Sequence, residues 1–148
     1  MKRFFLFAAG FFLFAQLSFA QDLRQSQVPA VISNGFNSNF PDARFVEWEL
    51  DGTMYRVEFE TGWNNDHEIW YNSTGEILRH KQDIKSKDLP ATVLQTIENN
   101  FKGYRISDVK MIKTGAETTY SLELNKLFEE WHLTLNAKGE ILKQFHDN

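Results

Sequence analysis

Two stretches of this chain repeat each other, and that constrains the fold more than any other feature. Val28-Pro29-Ala30, Phe40 and Thr74-Gly75-Glu76-Ile77-Leu78 recur as Leu89-Pro90-Ala91, Phe101 and Lys138-Gly139-Glu140-Ile141-Leu142. The offset is 61 residues from Pro29 to Pro90 and from Phe40 to Phe101, and 64 from Gly75 to Gly139. The second copy therefore holds two to four extra loop positions. A period of this size makes each copy one supersecondary unit that must pack beside its twin.

Each unit opens with a helix. Ile32, Phe36 and Phe40 recur at i, i+4, i+8, as do Val93, Ile97 and Phe101, so each set lies on one helical face. Pro29 and Pro90 stand at the helix starts, where a missing N–H costs little. Asp88 is placed to cap the second helix. Gly35 weakens the first by about 1 kcal/mol, and Pro41 and Gly103 mark the exits. Four strands follow each helix, over about 43–50, 53–61, 66–72 and 76–84, then 104–114, 117–125, 128–136 and 140–146. Alternation is plain in Tyr55-Val57-Phe59 and Tyr120-Leu122-Leu124. His67-Ile69-Tyr71 and Trp131-Leu133-Leu135 obey the same rule. Asp51-Gly52, Asn72 to Gly75 and Asn136 to Gly139 read as hairpin turns, and strands joined by short hairpins run antiparallel. The expected class is α+β: a tandem helix plus four-stranded meander over 28–84 and 85–148. The two units form one eight-stranded antiparallel sheet with both helices on one face. Lys81 to Lys87 is the polar linker, and 21–27 a flexible lead-in.

Residues 1–20 stand apart. Met1-Lys2-Arg3 leads into an uncharged run from Phe4 to Ala15, and the small residues Ser18 and Ala20 precede Gln21. This pattern reads as a secretory signal peptide cleaved after Ala20. The run is well short of the ~20 residues that span a bilayer. Half of the 14 phenylalanines lie within residues 1–20. Without residues 1–20 the chain has 14 basic against 20 acidic residues, a net −6. That balance disfavours nucleic acid or an anionic membrane as partner. With no cysteine, disulfide and thiol chemistry are absent from a product expected in the periplasm or outside the cell.

The pattern Val28-Pro-Ala, Phe40-Pro41-Asp-Ala43, Val46-x-Trp48-Glu and Tyr55-x-Val-x-Phe59, with a glycine hairpin after it, resembles the PepSY-like, β-lactamase-inhibitor-like family. These are small exported proteins of Bacteroidota-type bacteria. The second half repeats the pattern more weakly as Leu89-Pro-Ala, Phe101-x-Gly-Tyr104 and Tyr120-x-Leu-x-Leu124. The resemblance spans the chain from Val28 onward. It implies a β-lactamase-inhibitor-like tandem fold, a concave antiparallel sheet backed by helices, and protein binding or inhibition by analogy. Fold analogy alone is a weak warrant for function.

Little in the sequence points to catalysis. The histidines His67, His80, His132 and His146 form no i, i+4 pair and no Cys/His cluster, so no zinc motif appears. His67 lies in the core-facing phase and His132 in the opposite one. The hairpins Asn72 to Gly75 and Asn136 to Gly139 lack the carboxylates of a calcium loop. There is no nucleophile elbow and no phosphate loop. No cofactor is implied. Glu58/Glu60 and Glu129/Glu130 read as solvated strand positions.

The exposed sheet face remains. If Val46, Trp48 and Leu50 face the helices, Phe45, Glu47 and Glu49 face out, as do Met54, Arg56, Glu58 and Glu60. Trp70, Phe128 and His132 fall in the same outward phase, and Trp63 sits in a loop nearby. Aromatic residues beside arginine and charged rims are common interface anchors. The same rings could instead stabilise the sheet by ~0.2–1 kcal/mol per cross-strand pair, and a register slip of one would turn them all inward. The reading is a non-enzymatic module that docks a periplasmic or extracellular protein or peptide through Phe45, Arg56, Glu58, Trp63, Trp70, Phe128 and His132. The alternatives are an envelope small-ligand sensor or carrier, and a purely structural or dimerising domain.

Overall fold

The computed structural model describes residues 21–147. The expected signal peptide lies outside the described residues. The described residues build two α-helices and nine strands. β1 spans Gln21–Leu23, α1 Ala30–Asn39, β2 Arg44–Asp51, β3 Met54–Thr61, β4 Asn65–Tyr71 and β5 Ile77–Asp83. Then follow α2 Ala91–Asn100, β6 Arg105–Thr114, β7 Glu117–Lys126, β8 Glu129–Asn136 and β9 Ile141–Asp147. The strands lie side by side in chain order in one antiparallel sheet.

The sheet has nine strands rather than the expected eight. Gln21, Asp22 and Leu23 pair with Leu50, Glu49 and Trp48, which covers the open edge of β2. Three residues with a single apolar member carry no alternation to read. The sheet is continuous because Arg79 to Asp83 pairs with Thr114 to Lys110. Lys81, Gln82 and Asp83 therefore belong to a strand, and the turn onward is the 3-10 segment Ser86–Asp88.

α1 buries Ile32 and Phe36, and α2 buries Val93 and Ile97. Phe40 and Phe101 cap the C-termini and are half-buried. Pro29 and Pro90 are N-cap residues, and their carbonyls accept the amides of Ser33 at 3.0 Å and Leu94 at 3.1 Å. Asp88 does not cap α2; it ends the 3-10 segment two residues earlier. No helix among the described residues is long and apolar enough to cross a membrane.

Two buried clusters result. Val28, Ile32 and Phe36 pack with Trp48, Val57, Phe59, Ile69 and Tyr71. Phe36 meets Trp48 and Phe59 edge-on, with centroids 5.3 and 4.9 Å apart, a favoured aromatic geometry. Leu89, Val93 and Ile97 pack with Val109, Tyr120, Leu122, Leu124, Leu133 and Leu135. The hairpin turns are built as their side chains dictate. Asn72 Oδ1 accepts the amides of Thr74 and Glu76, and Asn136 Oδ1 those of Lys138 and Glu140, all at 3.0 Å.

Candidate functional site

The pleat that turns away from the two clusters is charged. Residues directly opposite in an antiparallel ladder project to the same side. One cross-strand row therefore runs Glu49, Arg56, Trp70, Arg79, and the next Glu47, Glu58, Glu68, Lys81. Arg56 is the hub of the first half. Its guanidinium lies 2.6 Å from Glu49, 2.8 Å from Glu58 and 3.7 Å from Glu68. These carboxylates outweigh its partial burial and hold its pKa above the ordinary value.

Two irregular residues shape this face. Phe45 (φ 52°) sits in a bulge of β2 between Arg44 and Glu47, and Asp108 (φ 44°) in a bulge of β6 between Ser107 and Lys110. A non-glycine residue at positive φ is uncommon, and such residues cluster at functional sites. A bulge also re-aims its side chain. Between the two lies a cleft of about 490 Å³. Seven carboxylates line it, those of Glu47, Glu58, Glu60, Asp66, Glu68, Asp83 and Asp108, against two amines, Lys81 and Lys110. Lys81 pairs with Glu68 at 2.5 Å and Lys110 with Asp108. Among the described residues, Glu47, Asp66 and Asp83 have no ion-pair partner. Burial pushes the Asp83 carboxyl above its ordinary range, and Asp66 and Asp108 add to the rise against the pull of Lys110 and Lys81. The cleft is electrostatically unfinished and favours a cation.

The residues singled out from sequence divide. Phe45 is 72% exposed on the cleft rim, Glu58 lines the cleft, and Arg56 braces it from the adjoining row. Trp63 is 91% exposed at the β3–β4 hairpin tip, on a neighbouring cleft that shares Asp83 and Asp108. Trp70 is not available as an anchor: it is only 8% exposed. The Arg79 guanidinium covers its ring at 4.8 Å, and its Nε1 donates to Asp51 Oδ2 at 3.1 Å. Phe128 is not on the sheet face. β8 begins at Glu129, so Leu127 and Phe128 form a two-residue turn, and Phe128 is fully exposed. Val46, expected to face inward, is 36% exposed because the bulge interrupts the alternation. His132 lies on the open pleat of the second half, away from the cleft.

Sequence reading missed Asp66, Asp83, Asp108 and Lys110 as cleft residues. The signal was present for one of them. Arg44-Phe45-Val46 aligns with Ser107-Asp108-Val109 at an offset of 63, which pairs the two bulges.

Histidine chemistry is concentrated in two places. His67, buried as its phase requires, stacks on Phe59 at 4.8 Å. Its Nδ1 is 3.0 Å from His80 Nε2, and its Nε2 is 2.7 Å from Thr61 Oγ1. Burial lowers both imidazole pKa values, His80 to about 4. In the second half, His132 is ringed by Glu123, Glu130 and Asp147.

A family model described as "Putative beta-lactamase-inhibitor-like, PepSY-like" matches the chain twice, over residues 18–79 and 55–143. The chain belongs to that family. No curated protein is similar to it in sequence. Three solved structures from Bacteroides share the fold of this PepSY-like chain, each covering 80% of it. A BLIP-like protein of B. fragilis has a TM-score of 0.63 at 18% identity, with 85% of its own chain covered. A DUF2874 family protein of B. uniformis has 0.65 at 17%, with 88% covered. One described as a "putative periplasmic" protein of B. eggerthii has 0.67 at 18%, also with 88% covered.

Proposed function

We propose that this protein is an exported, non-enzymatic binding module that holds a cationic stretch of a partner polypeptide in the carboxylate-lined cleft of its open sheet face. One observation carries the reading: seven carboxylates face two amines in a cleft rimmed by the strained Phe45 and Asp108 bulges. A lysine- or arginine-bearing segment would complete the charge that Glu47, Asp66 and Asp83 leave open, and Phe45 would pack on its aliphatic stems. The charged lining favours a polypeptide over an apolar small ligand. Export rests on the pattern of residues 1–20 and on one structural relative described as periplasmic. A binding role fits the inhibitor-like description of the family.

The same reading takes the chain as a duplicated helix-plus-four-strand unit with both helices on one face. The ladder supports it. Trp48, Val57, Ile69, His80 and Lys113 form one cross-strand row and Gln82, Met111, Tyr120 and Leu135 another. His67 pairs with Gln82, and these rows put both buried clusters on one pleat.

The test is calorimetric titration with extended basic, neutral and acidic peptides. Basic peptides bind, the affinity falls as salt rises, and Phe45→Ala or Glu58→Lys weakens it by tenfold or more. If acidic peptides bind equally well, or Glu58→Lys changes nothing, the cleft is not the docking site.

A further inference from the structure

The geometry around His132 points to a metal site in the second half of the sheet. We propose that His132 Nε2, Glu130 and Asp147 bind one divalent transition-metal ion, with Glu123 orienting the imidazole from its other side. Register brings these residues together. Glu123, His132 and Phe145 lie directly opposite one another on β7, β8 and β9, and Glu130 lies opposite Asp147 one row along. A sequence scan for helical histidine pairs cannot detect a set assembled across three strands.

The distances suit coordination. Glu130 Oε1 and Asp147 Oδ2 each lie 3.2 Å from Nε2. Ligands bound at about 2.0–2.2 Å in a tetrahedral shell stand about 3.3–3.5 Å apart, so each carboxylate stands near ligand spacing from the imidazole nitrogen, and a rotation of the exposed Asp147 side chain would bring it onto an ion held by His132 and Glu130. Glu123 Oε1 is 3.8 Å from Nδ1. That is beyond hydrogen-bond reach, so a small closing movement is needed before Glu123 accepts the Nδ1 proton and fixes the tautomer, as the supporting carboxylate of a carboxylate–histidine–metal triad does. Ligating atoms of Glu123, Glu130 and His132 all lie within 4.8 Å of one another. The imidazole is held in place by Phe145, stacked at 4.4 Å and 10°.

Charge argues the same way. Among the described residues, Glu123, Glu130 and Asp147 find no ion-pair partner except His132. Lys143 lies over the Phe145 ring, 5.4 Å from its centroid. Three carboxylates around one imidazole retain net negative charge even if the ring is protonated, and a dication replacing that proton reduces it further. One nitrogen and two oxygens suit Zn²⁺, Co²⁺ or Ni²⁺ over Mg²⁺ or Ca²⁺. Glu130 and Asp147 are solvent-accessible, so a fourth position is open to water or to a donor from another molecule.

The experiment uses the purified protein without a polyhistidine tag, titrated with Zn²⁺ by calorimetry and with Co²⁺ by visible absorption. One equivalent binds saturably in the micromolar range, and excess Mg²⁺ does not displace it. His132→Ala and Glu130→Gln abolish binding. Glu123→Gln weakens it by about 10–100-fold, as loss of a supporting carboxylate does. His146→Ala, whose ring packs on Trp131 on the opposite pleat, leaves binding unchanged. Glu130 lies toward solvent, so its variant folds even if His132→Ala does not. Absence of a one-to-one isotherm, binding that survives Glu130→Gln, or binding lost in His146→Ala overturns the site.

Discussion

The two halves of the sheet bury different cores. Beneath α1 the interior is ring on ring: Phe36 against Trp48 and Phe59, Phe40 against Phe59, and Trp48 beside Tyr71. Beneath α2 it is mainly aliphatic, with Val93, Ile97, Leu122, Leu124, Leu133 and Leu135 around the buried ring of Tyr120. Rings carry polar atoms inward, and the first half has the consequences. Trp48 Nε1 and Tyr71 Oη are buried without a partner, and burial pushes the Tyr71 phenol up to about 12. An unsatisfied buried donor costs about 1–3 kcal/mol. The aliphatic half has no such orphan among its core side chains.

The largest expected effect tests whether the rings hold the first half despite those orphans. Phe36→Ala removes a ring that touches three others and costs about 3–5 kcal/mol. Ile97→Ala, one matching turn along α2, costs about 2–5 kcal/mol and falls below Phe36→Ala. Chemical denaturation measures both. Were Ile97→Ala the costlier, the aromatic cluster would be the looser of the two cores.

The matched hairpin glycines sharpen the contrast. Gly75 and Gly139 both have strongly positive φ, 88° and 84°. A Cβ on Gly139 would lie 2.5 Å from the carbonyl oxygen of Thr92, whereas on Gly75 it would meet the Val31 Cγ2 at 3.3 Å. Backbone in a helix cannot yield as a valine methyl can. Gly139→Ala should cost about 3 kcal/mol or more and Gly75→Ala about 1–2 kcal/mol, the ordinary left-handed penalty. Comparable thermal shifts would mean that α2 moves away from its hairpin at little cost.

Much of this was legible in the sequence, and the failures have a common cause. The helices, hairpins and inward residues such as Val57, Ile69, Leu122 and Leu133 follow directly from periodicity, because each depends on neighbours a few positions away. Trp70 was placed on the correct pleat but read as exposed. Its cover comes from Arg79 and Asp51 on other strands, which no local pattern records. Phe45 is exposed as its phase implies, whereas Val46 and Phe128 depart from expectation where the alternation breaks, at a bulge and at a turn. The cleft and the His132 cluster depend wholly on register across strands, so no spacing rule could assemble them. β1 was missed because three residues carry too little pattern.

Acid should separate the halves as well. The His67–His80 pair belongs to the aromatic side. Burial, with His67 and Lys113 adding to it, draws His80 from its ordinary 6.5 to about 4, and burial lowers His67 despite Asp66. Once the pH drops below about 6.5 the unfolded chain takes up protons that the folded pair refuses, so stability present above that pH is lost progressively toward about 4. Melting temperatures should fall across that window in the wild type, and the slope between pH 6.5 and 5 should flatten in His80→Gln. An unchanged slope would mean that the His67–His80 pair does not set the acid sensitivity.

The smallest effects belong to the helix side of the joint between each helix and its hairpin. In the second half it is polar: Thr92 Oγ1 donates to the Ala137 carbonyl at 2.7 Å and Thr96 Oγ1 to that of Gly139 at 2.8 Å. The matching positions in the first half are Val31 and Gly35, and a Cβ on Gly35 would meet nothing within 4 Å. Gly35→Ala should therefore stabilise by about 1 kcal/mol through helix propensity alone, while Thr96→Ala should destabilise by about 1 kcal/mol through the lost hydrogen bond. The opposite signs are the discriminating result. If Gly35→Ala destabilises instead, α1 needs its glycine for a bend or a close approach. The first half would then be held by backbone fit as well as by its rings.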